Sequence, residues 1–224
     1  MFNRILLSAS IAGLLAALAL TAAQFVWISP LIQQAEIYED AAPAHAEAHD
    51  HDHAWQPEDG WQRTLFTGAS NAVMGIGFAL ILCGVYTLRQ PSGASQGLSW
   101  GLAGYVVFFA APALGLPPDL PGAAVAELSA RQYWWLGTAA ATATGLGLIF
   151  LQPRYPFKII GALLLAIPHL IGAPRPVSPL SLSPEELQTQ FRLIAIFTNA
   201  LFWLLLGVLS AVVFRRLARL SGER

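Results

Sequence analysis

Residues 193–214 read LIAIFTNALFWLLLGVLSAVVF, and Arg215, Arg216 and Arg219 follow at once. A run of 22 residues without a charge, at about 1.5 Å of rise each, matches the roughly 30 Å hydrocarbon core of a bilayer. Cations packed against one end of such a run mark the cytoplasmic side. This stretch therefore predicts a membrane-spanning helix whose C-terminal end lies inside the cell.

The rest of the chain has the same character. Of its 224 residues, 55% are hydrophobic and 11% charged, whereas a globular domain carries about 25% charged residues. That is too little polar surface for a water-soluble protein of this size. Five further apolar stretches precede the last one: Ile5–Ile32, Leu65–Leu88, Leu98–Leu116, Tyr133–Leu151 and Ile159–Ile171. The fifth is short for a span, but extension to Phe157 and Ala173 brings it near the lower limit. Lys158 can then reach the headgroups along its apolar stem. Arg4 and Thr21-Ala22-Ala23 have the look of a secretory signal, yet the apolar run continues through Phe25, Val26, Trp27 and Ile28. It is too long for an ordinary signal, so an uncleaved first span is expected.

Charge placement orients the bundle. With six crossings and an inner N-terminus, Arg4, Arg89, Arg154, Lys158, Arg215, Arg216, Arg219 and Arg224 lie inside. Arg63, Arg131, Arg175 and Arg192 lie outside or at outer helix ends. Removing the fifth crossing would place the Arg215–Arg219 cluster outside, against the rule. Twelve of the thirteen acidic residues, Glu36 to Glu186, fall in or beside the outer loops. The expectation is an all-α polytopic transmembrane bundle of about six spans, one membrane domain over residues 1–224. Both termini are then cytoplasmic. Small residues in the spans (Gly75 and Gly77, Gly101 and Gly104, Ala139 to Ala143, Gly145 and Gly147) allow close helix approach.

Segment 33–63, between the first two spans, is expected to be an outer loop rich in His and acid. It holds His45, His49, His51 and His53, four of the five histidines, interleaved with Asp50 and Asp52. Imidazole nitrogen suits cobalt, nickel, zinc and copper, and carboxylates add oxygen donors and negative charge. Such a run can wrap a divalent ion without a preformed cage; a merely solvated acidic linker is the plainer reading. The fifth histidine, His169, follows Pro168 near the outer end of the fifth span. An ionisable group at membrane depth is a functional candidate, although a hydrogen bond to a neighbouring helix would also account for it. Glu36 sits just past the first span, at a possible pore mouth, with Asp119 and Glu127 as further acceptors. Asn71 and Asn199 are candidate path-lining residues; polar side chains within spans more often bond between helices.

Several classes are disfavoured. A net charge of −1 gives no argument for nucleic-acid binding. Cys83, the sole cysteine, rules out a disulfide within the chain and reads as a packing residue. With Lys158 as the only lysine, there is no GxxxxGK[ST] phosphate loop. No carboxylate lies mid-span, which weakens a proton relay. No permanently bound cofactor is expected, and no enzymatic activity. Gly68-Ala69-Ser70-Asn71 resembles half of an intramembrane serine-protease motif, with His169 as a conceivable base, but Asn71 replaces its final glycine.

Nearly end to end, the chain resembles the probable cobalt transporter subunit CbtA family. The resemblance is carried by Glu36 to Glu39 and the His-rich loop, by Pro57-Glu58-Asp59-Gly60 leading into Arg63-Thr64-Leu65-Phe66-Thr67, and by Gly101-Leu102-Ala103-Gly104. Ala111 to Pro118, Arg131-Gln132 with Trp134 and Trp135, Pro168 to Pro174, and Asn199 to Trp203 extend it. It implies cobalt uptake linked to cobalamin synthesis, and a small single-span, histidine-bearing partner of the CbtB type. The expectation is an inner-membrane subunit moving a divalent metal ion, cobalt by resemblance, with nickel and zinc suiting the same ligands. A non-transporting accessory or metal-sensing membrane subunit is the alternative.

Overall fold

The computed structural model describes residues 1–41, 57–58, 60–91, 93–176 and 181–220. Six helices and no strand occur among them. They are α1 (Phe2–Ala41), α2 (Trp61–Leu88), α3 (94–113), α4 (Leu128–Leu151), α5 (Tyr155–Ile171) and α6 (Glu185–Leu220). Each expected span has its helix. α1, α2, α4 and α6 are long and apolar enough to cross a membrane. α5 is a shorter apolar helix of 17 residues, and α3 is assembled from pieces of 12, 5 and 3 residues.

Helix ends depart from the apolar runs. α1 continues past Ile32 to Ala41, into the segment expected to be loop. α6 begins at Glu185, eight residues before Leu193. Both extensions are polar, as helix beyond the hydrocarbon can be. At 36 residues, α6 is about 54 Å long by the usual rise, well beyond the roughly 30 Å core. Glu185 and Glu186 in its first turn and Arg219 in its last complement the helix dipole.

Two wide π turns interrupt the helices, Gln24–Ile28 in α1 and Val106–Ala110 in α3. In each, the next residue donates its N–H five residues back, Ser29 to Gln24 and Ala111 to Val106. A proline follows directly, Pro30 or Pro112. Proline lacks an N–H, and its ring crowds the carbonyl four residues earlier. Widening the preceding turn by one residue carries the helix past that conflict.

Glycines set the helix crossings. α1 meets α2 where a Cβ on Gly75 would lie 2.7 Å from the Gly13 carbonyl oxygen. α3 meets α6 through Gly97 and Gly101 against Gly207, and α4 meets α5 through Gly145 and Gly161. Small-on-small contact of this kind lets backbones approach closely in lipid. Gly77 and Gly147, equally prominent in the sequence, face nothing within 4 Å. α6 packs on α1, α2 and α3, while the α4–α5 hairpin attaches through the second half of α3. The main core gathers Tyr86, Cys83, Phe202, Trp203, Leu206 and Phe214. Trp203 stacks on Phe108 at 5.5 Å, in space that any side chain on Gly104 would fill. Val73, Phe150, Tyr133 and Leu170 point outward and are largely exposed. Lipid is the solvent that suits such a surface.

Candidate metal path at the acidic end of the bundle

The two ends of the bundle differ in charge. At one end the C-terminus of α1 meets the N-terminus of α2 through a Glu36–Arg63 pair. There the α3–α4 connection also meets α6 through Asp119 and Arg192 at 2.7 Å, and the residues just before α6 through the Leu182 N–H on the Gly122 carbonyl at 3.2 Å. Every described Asp and Glu lies at this end: Glu36, Glu39, Asp40, Glu58, Asp119, Glu127, Glu185 and Glu186. The opposite end carries Arg4, Arg89, Arg154, Lys158, Arg215, Arg216 and Arg219 with no described carboxylate. Arg4 lies there over the Phe214 ring at 4.3 Å.

At the acidic end, Glu36 does not stand free. Arg63 Nη1 donates to its Oε2 at 3.1 Å and Nη2 engages its Oε1, a forked, charge-assisted contact. Asp119 accepts from Arg192, which also donates to Gln188 at 3.3 Å. Glu127 caps α4: its carboxylate accepts from the Ser129 hydroxyl and from the Ser129 and Ala130 N–H groups. The Ser129 hydroxyl chiefly, then those backbone donors, hold its carboxyl below the usual carboxylate range.

His169 occupies the last turn of α5, half-buried, with its ring edge-on to Trp134 at 6.1 Å. Gly172, at φ 85°, ends the helix in a conformation suited to glycine and returns its N–H to the Pro168 carbonyl at 3.0 Å. Trp134 itself sits where a Cβ on Gly115 would be, and its buried indole N–H has no acceptor among the described residues. His169 thus belongs to an aromatic corner of the peripheral hairpin, whereas Glu36 belongs to α1.

Asn71 is buried in the α1–α2 interface. Its amide donates to Thr21 Oγ1 at 3.0 Å and Gln24 Oε1 at 2.6 Å, while Thr21 donates to the Ala17 carbonyl at 2.8 Å. Gln24 opens the π turn of α1, so a polar island coincides with the irregular backbone. Asn199 instead donates to Ala195 on its own helix at 3.0 Å and bridges no helices through that bond. Ser70 lies on the exposed face of α2, and no hydrogen bond joins it to His169 among the described residues.

His45, His49, His51, His53, Asp50 and Asp52 lie outside the described residues. Among those described, no three His, Cys, Asp or Glu side chains stand close enough to hold a metal ion. Sequence reading treated Arg63 and Arg192 only as topology markers and missed their carboxylate partners. It also missed Thr21 as a member of the Asn71 cluster. Gln24, a polar residue among apolar ones in the first span, is the signal in the sequence that points to a partner for Asn71.

No curated protein and no solved structure matches this chain. Residues 2–215, nearly the whole length, match the family described as probable cobalt transporter subunit (CbtA), and the chain belongs to that family.

Proposed function

We propose that this chain is the multi-pass subunit of a divalent transition-metal transporter in the bacterial inner membrane, with cobalt as cargo and the acidic end outward. The observation that carries this reading is the charge separation. All described carboxylates gather at one end, and seven described cations stand at the other without one. The positive-inside rule puts the basic end in the cytoplasm. The acidic end then raises the local concentration of cations, and the histidines at positions 45–53 enter the chain from that end.

In this reading those histidines, with Asp50 and Asp52, capture the ion. Glu36 and His169 receive it at the mouth, Glu36 by exchanging Arg63 for the metal. The Asn71–Gln24–Thr21 island lines the way between α1 and α2, and Asn199 is a lesser lining group. A divalent ion moving inward through 100 mV gains about 4.6 kcal/mol, at about 2.3 kcal/mol per charge, enough to drive accumulation. A small single-span, histidine-bearing subunit of the CbtB type is the proposed partner, and cobalamin synthesis the proposed destination of the cobalt.

Cobalt uptake by cells tests this. The variant with all four loop histidines replaced by alanine is expected to need more external cobalt for half-maximal uptake, and His169→Ala to lower the maximal rate. Unchanged uptake in both overturns the site. A second reading, a non-transporting accessory or metal-sensing subunit, is favoured by one observation: Glu36 and Asp119 are each already neutralised by an arginine. Cobalt accumulation in liposomes holding the purified chain decides against that reading; failure to accumulate with the partner subunit also present decides for it.

A further inference from the structure

One cavity at the acidic end has the opposite charge. About 240 Å³ in volume, it lies between the α3–α4 connection, the first turns of α4, the α5–α6 connection and the start of α6. Arg131, Arg175 and Arg192 line it together with Asp119, Gln188 and Ser181. Among the described residues Asp119 is the only carboxylate on its wall, and it is taken by Arg192 at 2.7 Å. Glu127, the nearest other acid in sequence, turns its carboxylate back onto the first turn of α4. Among the described residues Arg131 and Arg175 have no ion pair and the buried Nε of Arg192 has no acceptor.

Three guanidinium groups against one spent carboxylate leave the cavity with a surplus of about two positive charges. Like charges facing one concave space repel, and a buried donor without an acceptor costs free energy. One ligand class relieves both: an oxyanion, which guanidinium forks match two bonds at a time. Depth narrows the choice. Arg131 lines the cavity from the first turns of α4, and Tyr133, Trp134 and Trp135 follow it directly, as in the aromatic belt of a membrane interface. Leu116 and Val125 give its wall an apolar side.

We propose that this cavity binds a phosphate oxyanion, supplied as the headgroup of an anionic phospholipid or as soluble phosphate. The site is independent of the metal path. It also makes the surroundings of Asp119 unfavourable to a bare cation.

The purified full-length chain tests it in nanodiscs of phosphatidylcholine alone, of phosphatidylcholine with added inorganic phosphate, and of phosphatidylcholine with phosphatidylglycerol. Thermal midpoint and, by native mass spectrometry, retained phosphatidylglycerol are read in each. The wild type is expected to gain stability in at least one of the two anionic arms. A gain with phosphatidylglycerol alone identifies lipid, and a gain with inorganic phosphate identifies the free ion. The R131Q/R175Q variant is expected to lose the gain, with binding weaker by about tenfold or more per guanidinium. R89Q/R154Q, altered at the basic end, is expected to keep it. Arg175 is exposed, so R175Q alone carries the comparison where the double variant fails to fold. No gain in either anionic arm, or equal gains in wild type and cavity variants, overturns the proposal.

Discussion

Glu36 and Arg63 stand 27 residues apart in the chain and meet as a carboxylate–guanidinium fork where α1 ends and α2 begins. The pair clamps the two helix ends from which the histidine-bearing segment departs. Both side chains are about one-third exposed, so its stabilising contribution is small, about 1 kcal/mol or less. Its weight lies in controlling the Glu36 charge. Arg63→Gln is expected to free the carboxylate and lower the cobalt concentration for half-maximal uptake; Glu36→Gln is expected to raise it. Uptake curves for the two variants that move together would remove Glu36 from the path.

The glycine crossings give a sharper prediction for stability. A Cβ on Gly101 would lie 2.4 Å from the Trp203 carbonyl oxygen, a backbone atom that no rotamer change can move. Gly101→Ala should destabilise the chain by about 1–3 kcal/mol, as overpacking commonly does. Gly77→Ala and Gly147→Ala place their methyl groups in open space. They should be neutral or slightly stabilising, by up to about 1 kcal/mol. Unfolding in detergent against a denaturant measures all three.

Asn71 is expected to behave as an interhelical bond within the membrane. Asn71→Leu removes the donor to both Thr21 and Gln24 and should cost on the order of 1 kcal/mol, the range found for such bonds in membrane proteins. A double-mutant cycle with Gln24→Leu should show coupling between the two positions. Independent, additive effects would contradict the contact.

Acid should loosen the start of α4 through Glu127. Its carboxyl is held below the usual range in the folded chain. Its capping contribution is therefore fully present above the unfolded-state value and declines as pH falls through the lower folded value. Hydrogen exchange of the first α4 turn, measured relative to the intrinsic amide rate at each pH, should lose protection over that acidic window in the wild type. In Glu127→Gln the protection of that turn should stay constant over the same window.

Much of this architecture could be read from residue order alone, for one physical reason: lipid imposes long uncharged runs, so all six helices announced themselves. The same reason hid their ends. Once α1 and α6 leave the hydrocarbon at Gln33–Ala41 and Glu185–Arg192, polar helix and polar loop look alike. Gly75, Gly101 and Gly145 stood out correctly as packing sites, but Gly77 and Gly147 look the same in one dimension and pack on nothing. The Asp119–Arg192 pair joins residues 73 apart, and only the bundle topology brings them together. The arginine cavity was hidden likewise, because Arg131, Arg175 and Arg192 come from three separate segments and had weight only as topology markers.

Sidedness of the segment between α1 and α2 decides the metal-capture account most directly. Cys83 is the sole cysteine and is buried, so a Cys83→Ser background leaves a thiol placed at Glu47 as the only label site. Modification of Glu47→Cys by a membrane-impermeant maleimide in intact cells is the result the account requires. Modification only after the inner membrane is permeabilised would place the histidines in the cytosol and contradict it.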